Sequence, residues 1–187
     1  LILIQPDLGT AATIAGTAFL MLLAAGARIG HLGFLGLLGG GLAALAIMIE
    51  PYRMKRIMAF RDPWSDPLGK GFQTIQALLA VGSGRIFGAG LGQGRQKFLY
   101  LPEQHTDFIF AVLAEELGFI GTTFVLLLFV AFMWRGLKIA IKAPDSFGAL
   151  LGAGITVMVI LQAVINLGVV TGSLPVTGIT LPFISYG

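Results

Sequence analysis

The stretch DFIFAVLAEELGFIGTTFVLLLFVAFMW, residues 107–134, decides the fold. It exceeds the about 20 mostly apolar residues that a helix needs to cross a bilayer. It has no proline and no period-two alternation, so a helix is expected rather than a barrel strand. Three other stretches are long and apolar enough: 10–27, 32–49 and 147–170, none carrying a charge. In lipid only helices and closed barrels satisfy the backbone. The expected fold is therefore all-α: a polytopic helical membrane protein with about four full transmembrane helices.

Composition agrees. The chain is 56% hydrophobic and 11% charged, against about 25% charged in a typical soluble domain. Its mean hydropathy is +0.91. It has no cysteine, which excludes disulfides and thiolate metal sites. The opening Leu1 and the apolar run that begins near Leu181 lead us to expect a fragment of a longer membrane domain.

Between the spans lie a polar turn at 5–9, a short basic hairpin at 26–31, a long segment at 50–106 and a short basic loop at 135–146. The cation bias of short loops puts Arg28 and the 135–146 loop in the cytoplasm. The segment 50–106 then becomes one large extracytoplasmic loop. It holds eight of the twelve Lys and Arg residues. So basic an outward segment goes against the charge rule and suggests an anionic ligand. Within it, 72–81 places apolar residues at 72, 75, 78 and 79, which predicts a short interfacial helix. The glycines at 82–94 are expected to make turns, or backbone surfaces close to a ligand.

Asp107 stands where this segment meets the long apolar run. Thr106 is expected to cap the helix, leaving Asp107 in its first turn. Two readings stay open from spacing alone: a first-turn acid that stabilises the helix, or a general base at a membrane boundary. Glu103 is a second acid that either shares the site or is simply solvated. At least one of Glu115 and Glu116 falls inside the hydrocarbon zone of a straight helix and should face other helices or a wet cavity. Pointing about 100° apart, they are not expected to share one partner readily. Arg53, Lys55, Arg56, Arg61, Arg85, Arg95 and Lys97 suit either phosphate groups or anionic lipid headgroups. Nucleic acid is a poor fit, since no base-stacking motif accompanies the cations. His31 and His105 fall on opposite sides of the membrane, so no metal site is assigned.

Four motifs carry a family resemblance: Gln5-Pro6-Asp7-Leu8-Gly9-Thr10, Asp62-Pro63-Trp64-Ser65-Asp66-Pro67, the run Tyr100-Leu101-Pro102-Glu103-Gln104-His105-Thr106-Asp107-Phe108-Ile109-Phe110, and Leu181-Pro182-Phe183-Ile184-Ser185-Tyr186-Gly187. Their content and order resemble the SEDS family, which includes FtsW, RodA and SpoVE. Pro51-Tyr52-Arg53 and Gln96-Lys97 look more like the FtsW and SpoVE branches, and FtsW is preferred. The resemblance implies roughly the C-terminal half of a ten-span protein of the cytoplasmic membrane. It further implies a peptidoglycan glycosyltransferase that polymerises lipid II at the outer membrane face, in septal wall synthesis during cell division.

In that frame Asp107 matches the family's essential aspartate. Arg53, Arg56, Lys97 and Glu103 match family positions and are expected to bind substrate. A divalent cation is a further candidate for stabilising the pyrophosphate leaving group; no other cofactor is implied. The implied partners are a class B penicillin-binding protein, other division proteins and membrane lipids. Two alternatives belong to other classes. A lipid II flippase would use Glu115, Glu116, Gln162 and Asn166 along its path, and a division scaffold would not need Asp107.

Overall fold

A computed structural model describes residues 8–69, 71–94 and 106–186. Among these residues the fold is helical and contains no strand. Helices α1 (Leu8–Ala24) and α2 (Ile29–Ile49) form an apolar hairpin. Helix α3 (Pro51–Arg61) follows at once, with Pro51 in its first turn, where a missing N–H costs nothing. It is an element that the sequence reading left inside a loop. The motif from Asp62 to Pro67 turns the chain through a short 3-10 helix, Pro63–Ser65. Helix α4 (Phe72–Ser83) comes next, then α5 (Ile109–Ile141) and α6 (Ser146–Val170).

Three of these helices, α2, α5 and α6, are long and apolar enough to cross a membrane, while α1 is a shorter apolar helix. At 17 residues, α1 sits at the lower limit of about 17–25 for a span. Small residues let the helices approach closely, as is usual where lipid removes the hydrophobic drive between them. A side chain at Gly154 would collide with Met21, which fixes α6 against α1. One at Gly136 would collide with Thr156, which fixes α5 against α6. Hydroxyls inside the helices return to their own backbone: Thr13 donates to the Gly9 carbonyl at 3.0 Å and Thr156 to the Gly152 carbonyl at 2.7 Å. No hydroxyl in these pairs needs water.

Helix α5 is not straight. Gly118 has φ 66° and ψ −164°, a region essentially closed to any residue with a side chain. The arm before it, 109–117, folds back beside the arm after it. Phe110, Ala111 and Val112 from the first arm share one core with Phe129 and partly buried Val125 from the second. The segment 183–185 touches the second arm and the turn that leads into the first: Phe183 stacks edge-on against Phe132 at 5.6 Å, and Ser185 bonds the Thr106 carbonyl. In a straight helix 106 and 132 would lie about 39 Å apart. The arm 119–141 is still about 34 Å long, enough to span.

The reversal corrects the reading of 107–134 as one continuous helix. Its cause lies in the chain before it, where residues 85–90 lie against the elbow. The Ala89 and Gly90 N–H groups donate to the Glu115 and Glu116 carbonyls at 2.9 and 3.0 Å. The Phe119 and Ile120 N–H groups donate to the Arg85 and Ile86 carbonyls at 2.9 and 3.2 Å. Four backbone groups that a straight helix would pair with one another are thus paired with the loop. Left bare in lipid, each would cost several kcal/mol. A Cβ on Gly84 would overlap the Ala114 carbonyl, and one on Gly88 the Glu116 carbonyl. These glycines were expected to turn the chain or to approach a ligand; two of them approach a helix.

Candidate functional site

The first arm of α5 starts at Ile109, with Phe108 as its N-cap residue. Asp107 therefore stands in the turn just outside the helix and not in its first turn. The reason is packing: Phe108, 1% exposed, is buried with Val170 and Leu181, and this anchors the chain before helical geometry begins. Thr106 does not serve as the cap residue.

Two side chains from elsewhere hold this turn. Asn166 of α6, 1% exposed, donates through Nδ2 to the Asp107 carbonyl at 2.7 Å and to the Ile179 carbonyl at 2.7 Å. Its Oδ1 is buried with no hydrogen-bond partner among the described residues. Ser185 donates through Oγ to the Thr106 carbonyl at 2.7 Å and accepts from the Leu181 N–H at 2.8 Å. Successive carbonyls of the turn are thus fastened to α6 and to the segment that follows it. That segment brings Gly178, at φ 73°, against the carboxylate: a Cβ there would lie 3.5 Å from Asp107 Oδ2. The half-buried carboxylate therefore faces the backbone of residue 178 and not a side chain.

The basic residues divide. Arg53 donates through Nη1 to the Ala46 carbonyl at 3.0 Å, which caps the end of α2 and ties α3 to it. Arg56, three residues on, donates through Nη1 to the Val176 carbonyl at 3.1 Å. This links α3 to the segment that carries Gly178. Arg56 and Lys55 line a cleft of about 350 Å³ between α3 and α4, with Phe60, Phe72, Gln73 and Val176. Its walls combine two cations with apolar and amide groups, which suits an anionic group attached to an apolar one. Lys97 and Glu103 lie outside the described residues, as do Asp7 and His105.

Glu115 and Glu116 sit at the elbow and not midway along a span. Glu115 is 4% exposed and Glu116 half-buried. Both turn toward the same stretch of loop: a Cβ on Gly94 would lie 3.0 Å from Glu115 Oε2 and 3.2 Å from Glu116 Oε1. The expectation of separate partners assumed an unbroken helix with free surroundings, and the loop wrapped around the elbow removes that condition. Among the described residues no three His, Asp or Glu side chains converge to hold a metal ion.

Sequence reasoning did not assign Gly178 or Ser185, and it considered Asn166 only as the lining of a path. The available signals were an amide in an otherwise uncharged span and a hydroxyl inside the closing motif. Neither signal says which carbonyl the side chain meets.

The fold and site define a multi-pass helical membrane protein with a half-buried carboxylate in a pinned turn and a cleft lined by two cations. Residues 1–187, the whole chain, match the FtsW, RodA and SpoVE family, described as a cell cycle protein. The chain belongs to this family. It is 58% identical over 188 residues to stage V sporulation protein E of Bacillus subtilis (strain 168), covering all of the chain and 51% of that protein. It is 50% identical over 190 residues to the probable peptidoglycan glycosyltransferase FtsW of Alkalilimnicola ehrlichii, covering all of the chain and 47% of that protein.

Among solved structures, one described as showing structural coordination of polymerization and crosslinking by a peptidoglycan synthase complex superposes with a TM-score of 0.75 at 35% identity. It covers all of the chain and 52% of its match. A crystal structure of the rod shape determining protein RodA of Thermus thermophilus, an aspartate-to-alanine variant, superposes with a TM-score of 0.62 at 32% identity. There the chain is fully covered, with 45% of its match. The chain spans about half the length of the curated relatives it matches.

Proposed function

We propose that this chain carries the catalytic aspartate of a peptidoglycan glycosyltransferase that polymerises lipid II at the outer face of the cytoplasmic membrane. The observation that carries the reading is the Asp107 turn: a half-buried carboxylate just before a helix start, its turn fastened by two side-chain ties and facing the backbone of Gly178. Membership of a family with relatives named as peptidoglycan glycosyltransferases supports it. The segment 50–106 is the large extracytoplasmic loop of this reading, with α4 lying at the interface.

Asp107 takes the proton from the 4-hydroxyl of the acceptor's N-acetylglucosamine. The oxygen attacks the anomeric carbon of the donor's N-acetylmuramic acid from the face opposite the leaving group. A C–O glycosidic bond forms, the C–O bond to phosphate breaks, and undecaprenyl pyrophosphate departs with the electron pair. The configuration inverts. Charge gathers on the departing pyrophosphate, where fixed cations lower the barrier most. Arg56, together with Lys55, supplies those cations in the α3–α4 cleft. Arg53 contributes more by anchoring α3 than by contact, because its Nη1 is bonded to the end of α2. Lys97 and Glu103 complete the substrate contacts in this reading.

A class B penicillin-binding protein is the proposed partner, and a solved relative described as a polymerising and crosslinking complex supports it. Other division proteins would bring the pair to the septum. The 58% identity to a sporulation protein favours a second setting for the same chemistry, wall synthesis during sporulation. Genes for sporulation or for division beside this one would separate the two.

The test is Asp107→Asn in the full-length protein, supplied with lipid II in detergent together with its transpeptidase. The substitution keeps size and removes the base, so glycan synthesis should fall at least about 100-fold to 10,000-fold. Folding and expression should be unchanged. Glycan strands at near-normal rate would sink the assignment. Detergent also separates polymerisation from flipping, which needs two leaflets.

A further inference from the structure

We infer that Asn166 and Ser185 are positioning residues for the reaction, fixing the Asp107 carboxylate by holding the carbonyls of its own turn. The inference rests on the reading of Asp107 as the base. Neither side chain needs to touch substrate.

The argument starts from what a turn outside a helix lacks. Inside a helix the carbonyls of 106 and 107 would be set by the regular ladder. Here their places are set by two side chains from distant parts of the chain. Asn166 reaches across from α6 and Ser185 from the closing motif. Both bonds are 2.7 Å. The Asn166 amide also holds the Ile179 carbonyl, next to Gly178, so one side chain sets both the aspartate and the wall it faces. Ser185 does the equivalent from the other side, holding Thr106 while accepting from Leu181.

The amide is also costly, because its Oδ1 has no hydrogen-bond partner among the described residues. A buried polar atom left unpaired costs about 1–3 kcal/mol. An apolar residue in α6 would avoid that cost but would leave the buried Ile179 carbonyl and the part-buried Asp107 carbonyl unheld by this side chain. A general base must sit within hydrogen-bond reach of the proton it takes. A displacement of about 1 Å can cost about 100-fold in rate.

The test uses the full-length protein with lipid II and compares Asn166→Ser, Ser185→Ala and Ser185→Thr. The first two should lower kcat about 10- to 100-fold, with KM within about twofold, and Ser185→Ala should leave the melting temperature little changed. Ser185→Thr keeps the hydroxyl and should restore most of kcat. Asn166 is fully buried; if Asn166→Ser fails to fold, half-buried Ser185 carries the test alone. Three results overturn the inference: normal kcat in Ser185→Ala, a rise in KM at constant kcat, or activity lost only in proportion to folded protein. Asp107→Asn separates the two levels. If that variant is active, the functional reading fails. If it is inactive while Ser185→Ala turns over normally, only the positioning role fails.

Discussion

The two ends of the first arm of α5 are both held by groups distant in sequence, but by opposite means. At the elbow, backbone holds backbone: the Arg85–Gly90 loop exchanges four hydrogen bonds with residues 115–120. At the Asp107 turn, side chains hold backbone: Asn166 and Ser185 grip two carbonyls in succession. A backbone tie depends little on side-chain identity except where a Cβ would block the approach, and so it needs glycine at 84, 88 and 118. A side-chain tie tolerates any backbone neighbour but depends on one amide and one hydroxyl. The elbow is therefore built to hold shape, and the turn to hold a carboxylate in place. Damage to the first should appear in stability, and damage to the second in turnover.

Gly118→Ala should have the largest effect on the fold. Its φ and ψ cost a residue with a side chain about 1–3 kcal/mol. The added Cβ would also collide with the Gly88 N–H, and it would lie 2.7 Å from the Ile86 carbonyl. Overpacking of that kind adds about 1–3 kcal/mol. Thermal unfolding in detergent should show a loss of that combined size. The protein that does fold should keep kcat within about threefold, well short of the loss expected from Ser185→Ala. A folded Gly118→Ala protein with normal stability and collapsed kcat would break the division of roles.

Gly88→Ala probes the same tie from the loop side. Gly88 is at φ 80°, and a Cβ would overlap the Glu116 carbonyl. The loop can shift more readily than the helix, so the expected loss is smaller, about 1–2 kcal/mol. Amide exchange should quicken at Ala89 and Gly90, whose N–H groups close the elbow. Unchanged exchange there, with stability intact, would mean that the loop is not what holds the break.

These two regions also differ in how far the sequence discloses them. Apolar residues dominate 107–134 despite Glu115 and Glu116, so the spans and the all-helical class are legible. A single glycine in such a run says nothing about a reversal, because the deciding partner is the backbone of 85–90, and backbone carries no sequence signature. The glycines at 84 and 88 do signal a close approach, but not to what. Asp107 is legible through its place at a polar-to-apolar boundary and through the motif around it. Its positioning residues are not, because a polar residue in a span advertises only that it needs a partner. Arg53 and Arg56 look equivalent in sequence. Three residues of helix turn one toward α2 and the other toward the cleft.

Thr122→Val should have the smallest effect, and it sharpens the contrast for that reason. Thr122 donates to the Gly118 and Phe119 carbonyls, each at 3.0 Å, just past the elbow. Its hydroxyl touches the break from within the helix, and valine has nearly its shape. If backbone alone carries the elbow, the loss should be near the net worth of one hydrogen bond, about 0.5–1.5 kcal/mol. A hydroxyl bonded within its own helix slightly bends that helix, so the value should fall toward the lower end. A loss above about 3 kcal/mol, read from the unfolding midpoint, would show that the elbow too relies on a side chain. The backbone exchange with residues 85–90 would then be a consequence of the bend and not its cause.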